Sequence, residues 1–388
     1  NYFRWRPCRW GQEEYWHGVL PHSGRANRRY EELKQMGEEL AEIGERIDAT
    51  RPRAETAIVM SYESRWGLNA VMNVERLAPI FKQEGLGVHD AAGAYHTALM
   101  DQSVTTDAMD PREDLSKYKL VIAPRLYSVD EAVTANLTDF VRNGGVLCLT
   151  PRSGVVDEYN KIFNTPAPGP LAEIAGVEVD DYSALESALP IAIQVDDEAL
   201  QSVTGATAWA DEIIPTTAQP LATYAAGWQA GMPAITVNTY GKGKVIYVGT
   251  LLRGASLDAF VAWLCALAGV ETGIETPDQV RAYERRSDDV RLLFPSREKL
   301  SLHPEIVRAH SPMLLASRPE RDATISRHAD GEQEIDLTSF GASDRESRRI
   351  RRTLINGAYS VHTYPEYDYQ SGGYRRNHCT VYESRLPV

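Results

Sequence analysis

TAIVMSY, at residues 56–62, is the first of three short apolar runs that decide the fold. The second is YKLVIAP at 118–124, and the third is VLCLT at 146–150. Continuous apolar runs of this length are typical of strands that are buried on both faces of a parallel sheet. Residues 69–83 and 129–142 are predicted as helices between them. This alternation predicts an α/β fold with a doubly wound parallel sheet, of the flavodoxin-like kind.

The carboxyl ends of these strands are the expected place for a site. Ligands of doubly wound sheets bind beyond the carboxyl ends of the strands. Here those ends are followed by residues 61–66, 124–127 and 151–154. We therefore expect these three segments to lie at one edge of the sheet.

Downstream, the pattern becomes rich in β-structure. Runs at 234–240 and 244–250 flank a Gly-Lys-Gly turn and predict a hairpin, after which residues 257–268 form a helix. A second hairpin is predicted from the runs at 279–284 and 290–294. This hairpin begins a small β-domain.

The N-terminal stretch, residues 2–22, reads YFRWRPCRWGQEEYWHGVLPH and mixes six aromatic residues with three arginines, two glutamates and two histidines. Surface loops are poor in such aromatics and cores exclude unpaired charges, so the mixture predicts a wall that contacts a polar ligand. Residues 2–6 are predicted as a strand that Pro7 stops, and apolar spacing over 26–47 predicts an amphipathic helix. Strand, polar loop and helix form the repeating unit of a (β/α) barrel.

Two carboxylates in this stretch have a notable spacing to a histidine. Glu13 and His17 are four residues apart, and Glu14 and His17 are three apart. A helical turn there would place a carboxylate and an imidazole on one face. The spacing alone favours a salt-bridged surface turn, whereas the aromatic density favours a ligand site.

Composition and charge limit the class of partner. The 388 residues contain 41 Lys and Arg against 54 Asp and Glu, for a net charge of -13, which argues against nucleic acid or an anionic membrane as partner. The chain has no apolar run long enough to cross a membrane. It also lacks an initiating Met and a signal peptide, so we expect it to be the back part of a longer protein.

The cysteines indicate neither a metal site nor a disulfide framework. The four cysteines are far apart in the sequence and form no CxxC pair. They are Cys8, Cys148, Cys265 and Cys379. The reducing cytoplasm is the simplest setting for such a chain. We expect no cofactor and no metal.

Two motifs carry a resemblance to a known family. Residues 3–9 (FRWRPCR) and 11–18 (GQEEYWHG) resemble the eighth strand and following loop of glycoside hydrolase family 42 β-galactosidases. Residues 54–272 resemble that family's trimerisation domain, above all at 61–66 (SYESRW) and 144–154 (GGVLCLTPRSG). The resemblance covers roughly residues 1–294.

The resemblance implies a retaining β-galactosidase, whose acid and nucleophile are two carboxylates about 5 Å apart. In the family, both lie before the point where this chain begins, so no catalytic residue is assigned here. The implied substrate-binding residues are Phe3, which would line the sugar subsite, Glu13, which would accept hydrogen bonds from galactose hydroxyls, and His17. Glu14 is a rival to Glu13. Trp5 fits either direct sugar contact or packing in the barrel core.

The family also implies a homotrimer. The side chains at the strand ends that fit either this subunit contact or internal packing and surface solvation are Arg65, Trp66, Arg125, Tyr127 and Arg152. By the resemblance the chain divides into residues 1–50, the last strand, loop and helix of a (β/α)8 barrel, and 54–272, the trimerisation domain. Residues 273–341 are then a partial β-domain, with a strand-like run at 334–340. Residues 342–388 form an atypical tail, for which disorder or a disturbed reading frame would explain the missing core pattern.

Two further functions compete with the β-galactosidase interpretation. The α/β domain also resembles class I glutamine amidotransferases, whose chemistry needs an exposed cysteine on a Gly-flanked turn with a histidine base nearby. Cys148 lies inside an apolar run, so we interpret it as a core residue. The other alternative is a non-catalytic oligomerisation or sugar-binding module.

Overall fold

The computed structural model describes most of residues 2–297 and five short strand segments beyond them. The described residues are 2, 4–72, 88–185, 188–273, 280–288, 290–297, 325–327, 332–335, 350–353, 359–368 and 373–385. The chain divides into two compact units. The first unit comprises Asn1–Arg53 and Thr276–Val388, and the second unit comprises Ala54–Glu275.

The second unit is built on one mixed sheet of eleven strands. Its strands are β1 (Thr56–Val59), β2 (Thr106–Met109), β3 (Leu120–Ala123), β4 (Val146–Leu149), β5 (Val177–Ala184), β6 (Leu189–Ile193), β7 (Gly205–Pro215), β8 (Gln219–Tyr224), β9 (Pro233–Tyr240), β10 (Gly243–Val248) and β11 (Thr250–Leu251). The order is β11-β7-β6-β8-β9-β10-β4-β3-β1-β2, with β5 paired to β7. Neighbours are parallel from β2 to β10 and antiparallel elsewhere.

Helices cover both faces of the parallel part of this sheet. The helices are α2 (Tyr62–Met72), α3 (Val88–Asp101), α4 (Glu131–Arg142), α5 (Ala172–Ala175) and α6 (Ala255–Ala268). Ile122 and Cys148 belong to a core that includes residues of α3 and α6. Their strand neighbours Val121 and Leu147 belong to a second core that includes residues of α4 and α5. Because successive strand residues point to opposite faces, the continuous apolar runs fill both cores, and the predicted α/β class is confirmed.

The strand and helix at the start of this unit differ from the prediction. The first apolar run ends as a strand at Val59, because Ser61 caps helix α2, which begins at Tyr62. The hydroxyl of Ser61 accepts a hydrogen bond from the backbone N–H of Ser64 at 3.0 Å, which is a helix N-cap contact. Helix α2 therefore begins well before the predicted helix 69–83, of which residues 73–83 lie outside the described residues.

Two other predictions for this unit hold closely. Helix α4 begins at Glu131, where Asp130 accepts a hydrogen bond from the N–H of Val133 at 2.8 Å. The predicted hairpin around the Gly-Lys-Gly turn is confirmed as β9 and β10, in which Gly243 pairs with Tyr240.

The first unit contains a helix and two small sheets. Its elements are α1 (Arg28–Asp48), β12 (Val280–Arg286), β13 (Val290–Arg297), β14 (Ile325–Arg327), β15 (Glu332–Ile335), β16 (Ile350–Thr353), β17 (Tyr359–Asp368) and β18 (Gly373–Arg385). Asn27 caps α1 by accepting from the N–H of Tyr30 at 3.3 Å. Ile47 of α1 packs on Leu292 and Phe294 of β13. The predicted amphipathic helix and second hairpin are therefore confirmed.

The strands of this unit form two antiparallel sheets, one in the order β12-β13-β18-β17 and one in the order β14-β15-β16. Strands β17 and β18 lie within residues 342–388, where the residue pattern does not indicate them. Strand β15 overlaps the strand-like run 334–340, whose residues 336–340 lie outside the described residues. The division into a partial β-domain at 273–341 and a tail at 342–388 stays a prediction.

Candidate functional site

The N-terminal loop, residues 8–18, is closed at its base by backbone hydrogen bonds. The N–H groups of the two residues after Gly18 donate to the carbonyl oxygens of Arg4 and Trp5, at 2.7 and 2.8 Å. A Cβ on Gly18 would lie 2.9 Å from the Arg4 oxygen, so any larger residue would push this closure apart. The described residues of the predicted strand 2–6 bend at Trp5 and form no regular strand.

Glu13 is held inside this loop by Arg4. It lies in a 3-10 turn, Gln12–Tyr15, and its Oε2 accepts a hydrogen bond from Arg4 Nη1 at 2.7 Å. Arg4 Nη2 donates to the Glu13 carbonyl at 3.0 Å, and the Cys8 thiol lies 3.6 Å from Oε2. The hydrogen bond from Arg4, followed by that from Cys8, lowers the pKa of Glu13. The carboxylate is ionised and still 56% exposed, so it can accept hydrogen bonds from a ligand.

The turn does not bring Glu13 and His17 together by helical spacing. It ends at Tyr15, and Trp16 has an extended backbone, with φ −73 and ψ 138. The two side chains therefore do not share a helix face, and the expectation of a common helical face was wrong. Glu14 and His17 are both exposed on the loop.

The described tryptophans of the N-terminal stretch are exposed. Trp5 is 63% exposed and meets Tyr30 of α1 edge to face, with the ring centroids 6.4 Å apart. Trp16 is 64% exposed and Trp10 is 80% exposed. Phe3 lies outside the described residues. Within its own unit, Trp5 is thus available for ligand contact rather than enclosed in a core.

Sequence reasoning missed Arg4 and Cys8 as parts of this arrangement. Both lie in the FRWRPC motif that carries the family resemblance, but a contact between Arg4 and Glu13 spans nine positions of irregular backbone. Helix and strand periodicities cannot indicate a contact of this kind.

A second group of polar residues lies at the carboxyl edge of the sheet in the second unit. The Ser64 hydroxyl accepts from the Ser128 N–H at 3.0 Å, which joins α2 to the loop after β3. The N–H of Gly154 donates to the carbonyl of Leu126 at 2.8 Å, which joins the loops after β3 and β4. The structure thus brings the three segments of this edge together, as predicted.

Two arginines follow β3 and β4 at this edge. Arg125 is 1% exposed, its N–H donates to the Thr150 hydroxyl at 2.7 Å, and its guanidinium lies 6.0 Å from the Trp209 ring. The guanidinium carbon of Arg152 lies 5.1 Å from the Tyr182 ring centroid and 5.7 Å from that of Trp209. Tyr182 stacks on Trp209 with the centroids 4.6 Å apart. The two guanidinium groups thus lie against the same stacked pair of rings, Tyr182 and Trp209, which we call the enclosure.

Asp211 of β7 faces the same enclosure and is buried. It accepts hydrogen bonds from Trp209 Nε1 at 2.7 Å and from the Tyr247 hydroxyl at 2.8 Å. Burial raises the pKa of Asp211 to about 6, although these two hydrogen bonds and the nearby arginines act in the opposite direction. The sequence did not indicate Asp211, because β7 reaches this edge only through the strand order of the sheet.

Cys148 is no nucleophile in this structure. It is fully buried in β4, and burial raises the pKa of its thiol well above the ordinary range. A thiolate is the attacking species of amidotransferase chemistry, so a buried neutral thiol cannot supply it. The interpretation of Cys148 as a core residue agrees with this position.

The edge also presents aromatic side chains to solvent. Tyr62 and Trp66 of α2 are 58% and 65% exposed, with their ring centroids 5.6 Å apart. Arg125 and Tyr127, by contrast, are 1% and 2% exposed. The expectation that they contact another subunit was wrong, because the chain itself encloses both side chains. Arg152 is half-buried.

Two absences concern only the part of the chain that the structure describes. There, no group of three or more His, Cys, Asp or Glu side chains is placed to hold a metal ion. No helix in the same residues is both long and apolar enough to span a bilayer.

Comparison with known proteins identifies the class of both units. The family model described as "Beta-galactosidase trimerisation domain" matches residues 54–271, and the model described as "Beta-galactosidase" matches residues 1–43. The chain belongs to the glycoside hydrolase family 42 β-galactosidases.

Curated relatives and solved structures agree with this assignment. β-Galactosidase BgaB of a Geobacillus species is 34% identical over 297 residues, which are 76% of this chain and 42% of the relative. BglY of Alicyclobacillus acidocaldarius is 35% identical over 75% of this chain and 42% of its own length. A β-galactosidase structure from Halorubrum lacusprofundi is 30% identical with a TM-score of 0.61, over 75% of this chain and 41% of its own. The chain spans less than half the length of these relatives.

Proposed function

We propose that the protein takes part in the hydrolysis of terminal, non-reducing β-D-galactosides with retention of configuration. The observation that carries the proposal is the exposed Glu13 carboxylate, which Arg4 holds within a loop rich in tryptophan. This loop lies in the segment that matches the β-galactosidase family model. Carboxylates bind the hydroxyls of a sugar, and aromatic rings cover its apolar faces.

Each candidate residue has a role in this proposal. Glu13 accepts hydrogen bonds from galactose hydroxyls, with Glu14 as the rival acceptor. His17 donates to the sugar. Phe3 lines the sugar subsite, and Trp5 adds a second aromatic wall. The galactoside is the substrate, and no cofactor enters the reaction.

Neither catalytic carboxylate is assigned to this chain. Retaining hydrolysis needs an acid and a nucleophile about 5 Å apart. We infer that both are supplied by barrel residues outside 1–388, because the β-galactosidase model matches only residues 1–43 and the chain covers 42% of its relatives BgaB and BglY. In this proposal residues 1–50 are the last (β/α) unit of that barrel. In the same proposal, residues 54–272 are a flavodoxin-like domain related to class I glutamine amidotransferases, and a small β-domain follows them. We propose that the protein is cytoplasmic.

Residues 1–388 alone are expected to bind the sugar without cleaving it. Release of nitrophenol from nitrophenyl β-galactoside should not exceed the no-enzyme control, because the acid and the nucleophile are both absent. Saturation-transfer NMR with methyl β-galactoside should show contact, and methyl β-glucoside, which differs at one hydroxyl, is the matched control. Turnover above background would contradict the assignment of the carboxylates, and equal signals from both sugars would contradict a galactose site.

We also propose that the second unit forms a homotrimer, through the aromatic surface of Tyr62 and Trp66. The name of the matching family model supports a trimer, and exposed aromatic side chains of this kind are frequent centres of protein interfaces. A closed ring would cover the surface in every subunit.

The double substitution Tyr62→Ala and Trp66→Ala is expected to break this trimer. Light scattering should give three times the chain mass of 43.2 kDa for the unchanged protein and a concentration-dependent lower mass for the variant. Trp228→Ala is the control, since Trp228 is 59% exposed on another part of the same unit. A monomeric unchanged protein, or a variant that stays trimeric at micromolar concentration, would argue against this interface.

A further inference from the structure

The two arginines at the carboxyl edge of the sheet share an unusual backbone. Each follows a proline close to the end of a strand: Pro124 comes directly after β3, and Pro151 follows β4 after one intervening residue. Their φ angles are 51° and 70°, in the left-handed region that residues with a side chain rarely adopt. Such backbone persists where the surrounding structure enforces it, and it clusters at ligand sites. Both strained positions aim a guanidinium at one enclosure.

Arg125 has donors that nothing in the described part of the chain satisfies. Its Nε and Nη1 atoms are buried and have no hydrogen-bond partner there. No described carboxylate forms an ion pair with it, and Asp211 acts on it only through the longer-range field. A buried charged donor without an acceptor is costly, so native structures rarely leave one unexplained.

The enclosure also holds more positive than negative charge. Burial and then the charge of the neighbouring Arg152 lower the pKa of Arg125 to about 10, so the Arg125 guanidinium is still charged at neutral pH. Asp211 is the acidic group whose negative charge acts on Arg125. The Tyr247 and Tyr224 hydroxyls face Asp211, and burial raises the pKa of both, so they add no negative charge at neutral pH. The two arginines are therefore balanced by only one negative charge among these groups, that of Asp211.

We propose that Arg125 and Arg152 bind a small oxyanion at the carboxyl ends of β3 and β4. Guanidinium groups bind phosphate, sulfate and carboxylate through paired N–H donors, which would satisfy the buried atoms of Arg125. The anion is small because Arg125 is 1% exposed. The anion enters from the side of the half-buried Arg152 and the exposed Tyr182. The Arg152 side chain turns to admit it. The site does not depend on the proposed hydrolysis.

Calorimetric titration with sodium sulfate, phosphate and acetate tests the site in the whole chain. Each is titrated at constant ionic strength, with sodium chloride as the reference salt, and the three arms show which oxyanion class is preferred. We expect saturable binding of at least one oxyanion at one site per chain, together with a rise in the unfolding temperature that chloride does not give. Absence of saturable binding by all three would overturn the proposal.

Arg152→Gln is the diagnostic variant, because Arg152 is half-buried and its loss leaves the deeper packing in place. It should weaken oxyanion binding roughly tenfold or more, the effect of one lost charged hydrogen-bond pair. Arg253→Gln, which removes an exposed arginine outside the enclosure, is the matched control and should bind as the unchanged chain does. Equal affinities for the unchanged chain and Arg152→Gln would place the anion elsewhere and overturn the proposal.

Discussion

Replacing Glu13 with alanine is expected to lower kcat/KM for nitrophenyl β-galactoside about a hundredfold or more. Because the proposed function assigns the two catalytic carboxylates to barrel residues outside 1–388, the measurement is made on a fusion of residues 1–388 to a family 42 barrel that carries them. A hydrogen bond from a substrate hydroxyl to an ionised carboxylate is worth about 1.5–3 kcal/mol, and Glu13 can accept more than one. Arg4 keeps its carboxylate ionised and fixed before the sugar arrives. Such a preset acceptor loses little entropy on binding.

The neighbouring glutamate provides the matched control for this prediction. Glu14→Ala removes a carboxylate from the same 3-10 turn, where Glu14 is exposed. We expect its kcat/KM to stay within a few-fold of the unchanged enzyme. If Glu14→Ala shows the large loss and Glu13→Ala does not, the assignment of the two residues is reversed. Deoxygalactosides that lack the hydroxyl contacted by Glu13 should show no further loss in the Glu13 variant.

The separate changes in KM and kcat of the Glu13→Ala variant should identify the role of Glu13. In the proposed role, Glu13 contacts hydroxyls away from the bond that breaks, so a uniform loss of binding raises KM and leaves kcat near its original value. A fall in kcat alone would show that the contact strengthens in the transition state. A loss of folded protein would leave KM unchanged and lower the apparent kcat in proportion to the inactive fraction, so kcat is expressed per mole of folded enzyme.

The sheet could be predicted from sequence because its signals are local. Strands buried on both faces need apolar residues at every position, and β1, β3 and β4 show this without reference to other parts of the chain. The carboxyl edge follows from the same reasoning, since parallel strands end on one side. Ser61 shows the limit, because one hydroxyl that caps a helix outweighed the apolar pattern around it.

The contacts that form the two candidate sites could not be predicted in this way. Arg4 reaches Glu13 across a loop without regular spacing, so no periodic pattern connects them. Asp211 meets the arginines because β7 is placed by a chain of antiparallel pairings that begins at β10. Sequence patterns identify such strands but not their order in the sheet. The missing hydrogen-bond partners of Arg125 can be seen only once all neighbours are in place.

Asp211→Asn is expected to make the second unit more stable at pH 8 and to change its stability little at pH 4. Burial raises the pKa of Asp211 to about 6 in the folded chain, above the ordinary value of 3.8. The folded state therefore holds this proton more tightly than the unfolded state does. The stabilisation that comes from this tighter proton binding is fully present below about pH 4. As the pH rises through 6 it is lost, and the free energy of unfolding falls by roughly 3 kcal/mol. Asparagine stays neutral and avoids that loss.

The hydrogen bonds of Asp211 can survive this substitution. The asparagine oxygen can accept from Trp209 Nε1, and its amide can donate to the Tyr247 oxygen, which is able to accept. Hydrogen exchange of the β7 and β10 amides in the whole chain gives the free energy of opening at each pH. The difference between the two proteins isolates Asp211, because all other groups titrate in both. Asp196→Asn, at an exposed position, should show no such difference.

Sulfate extends this prediction, because an anion bound at Arg125 and Arg152 competes with ionised Asp211 for the same positive charge. Sulfate keeps its own charge between pH 4 and 8, so any change of its affinity with pH comes from the protein. Its binding to the unchanged chain should tighten as the pH falls through 6 and Asp211 becomes neutral. Binding to Asp211→Asn should be tight and constant over this range. A sulfate affinity that does not change with pH in either protein would mean that Asp211 and the anion do not share the enclosure.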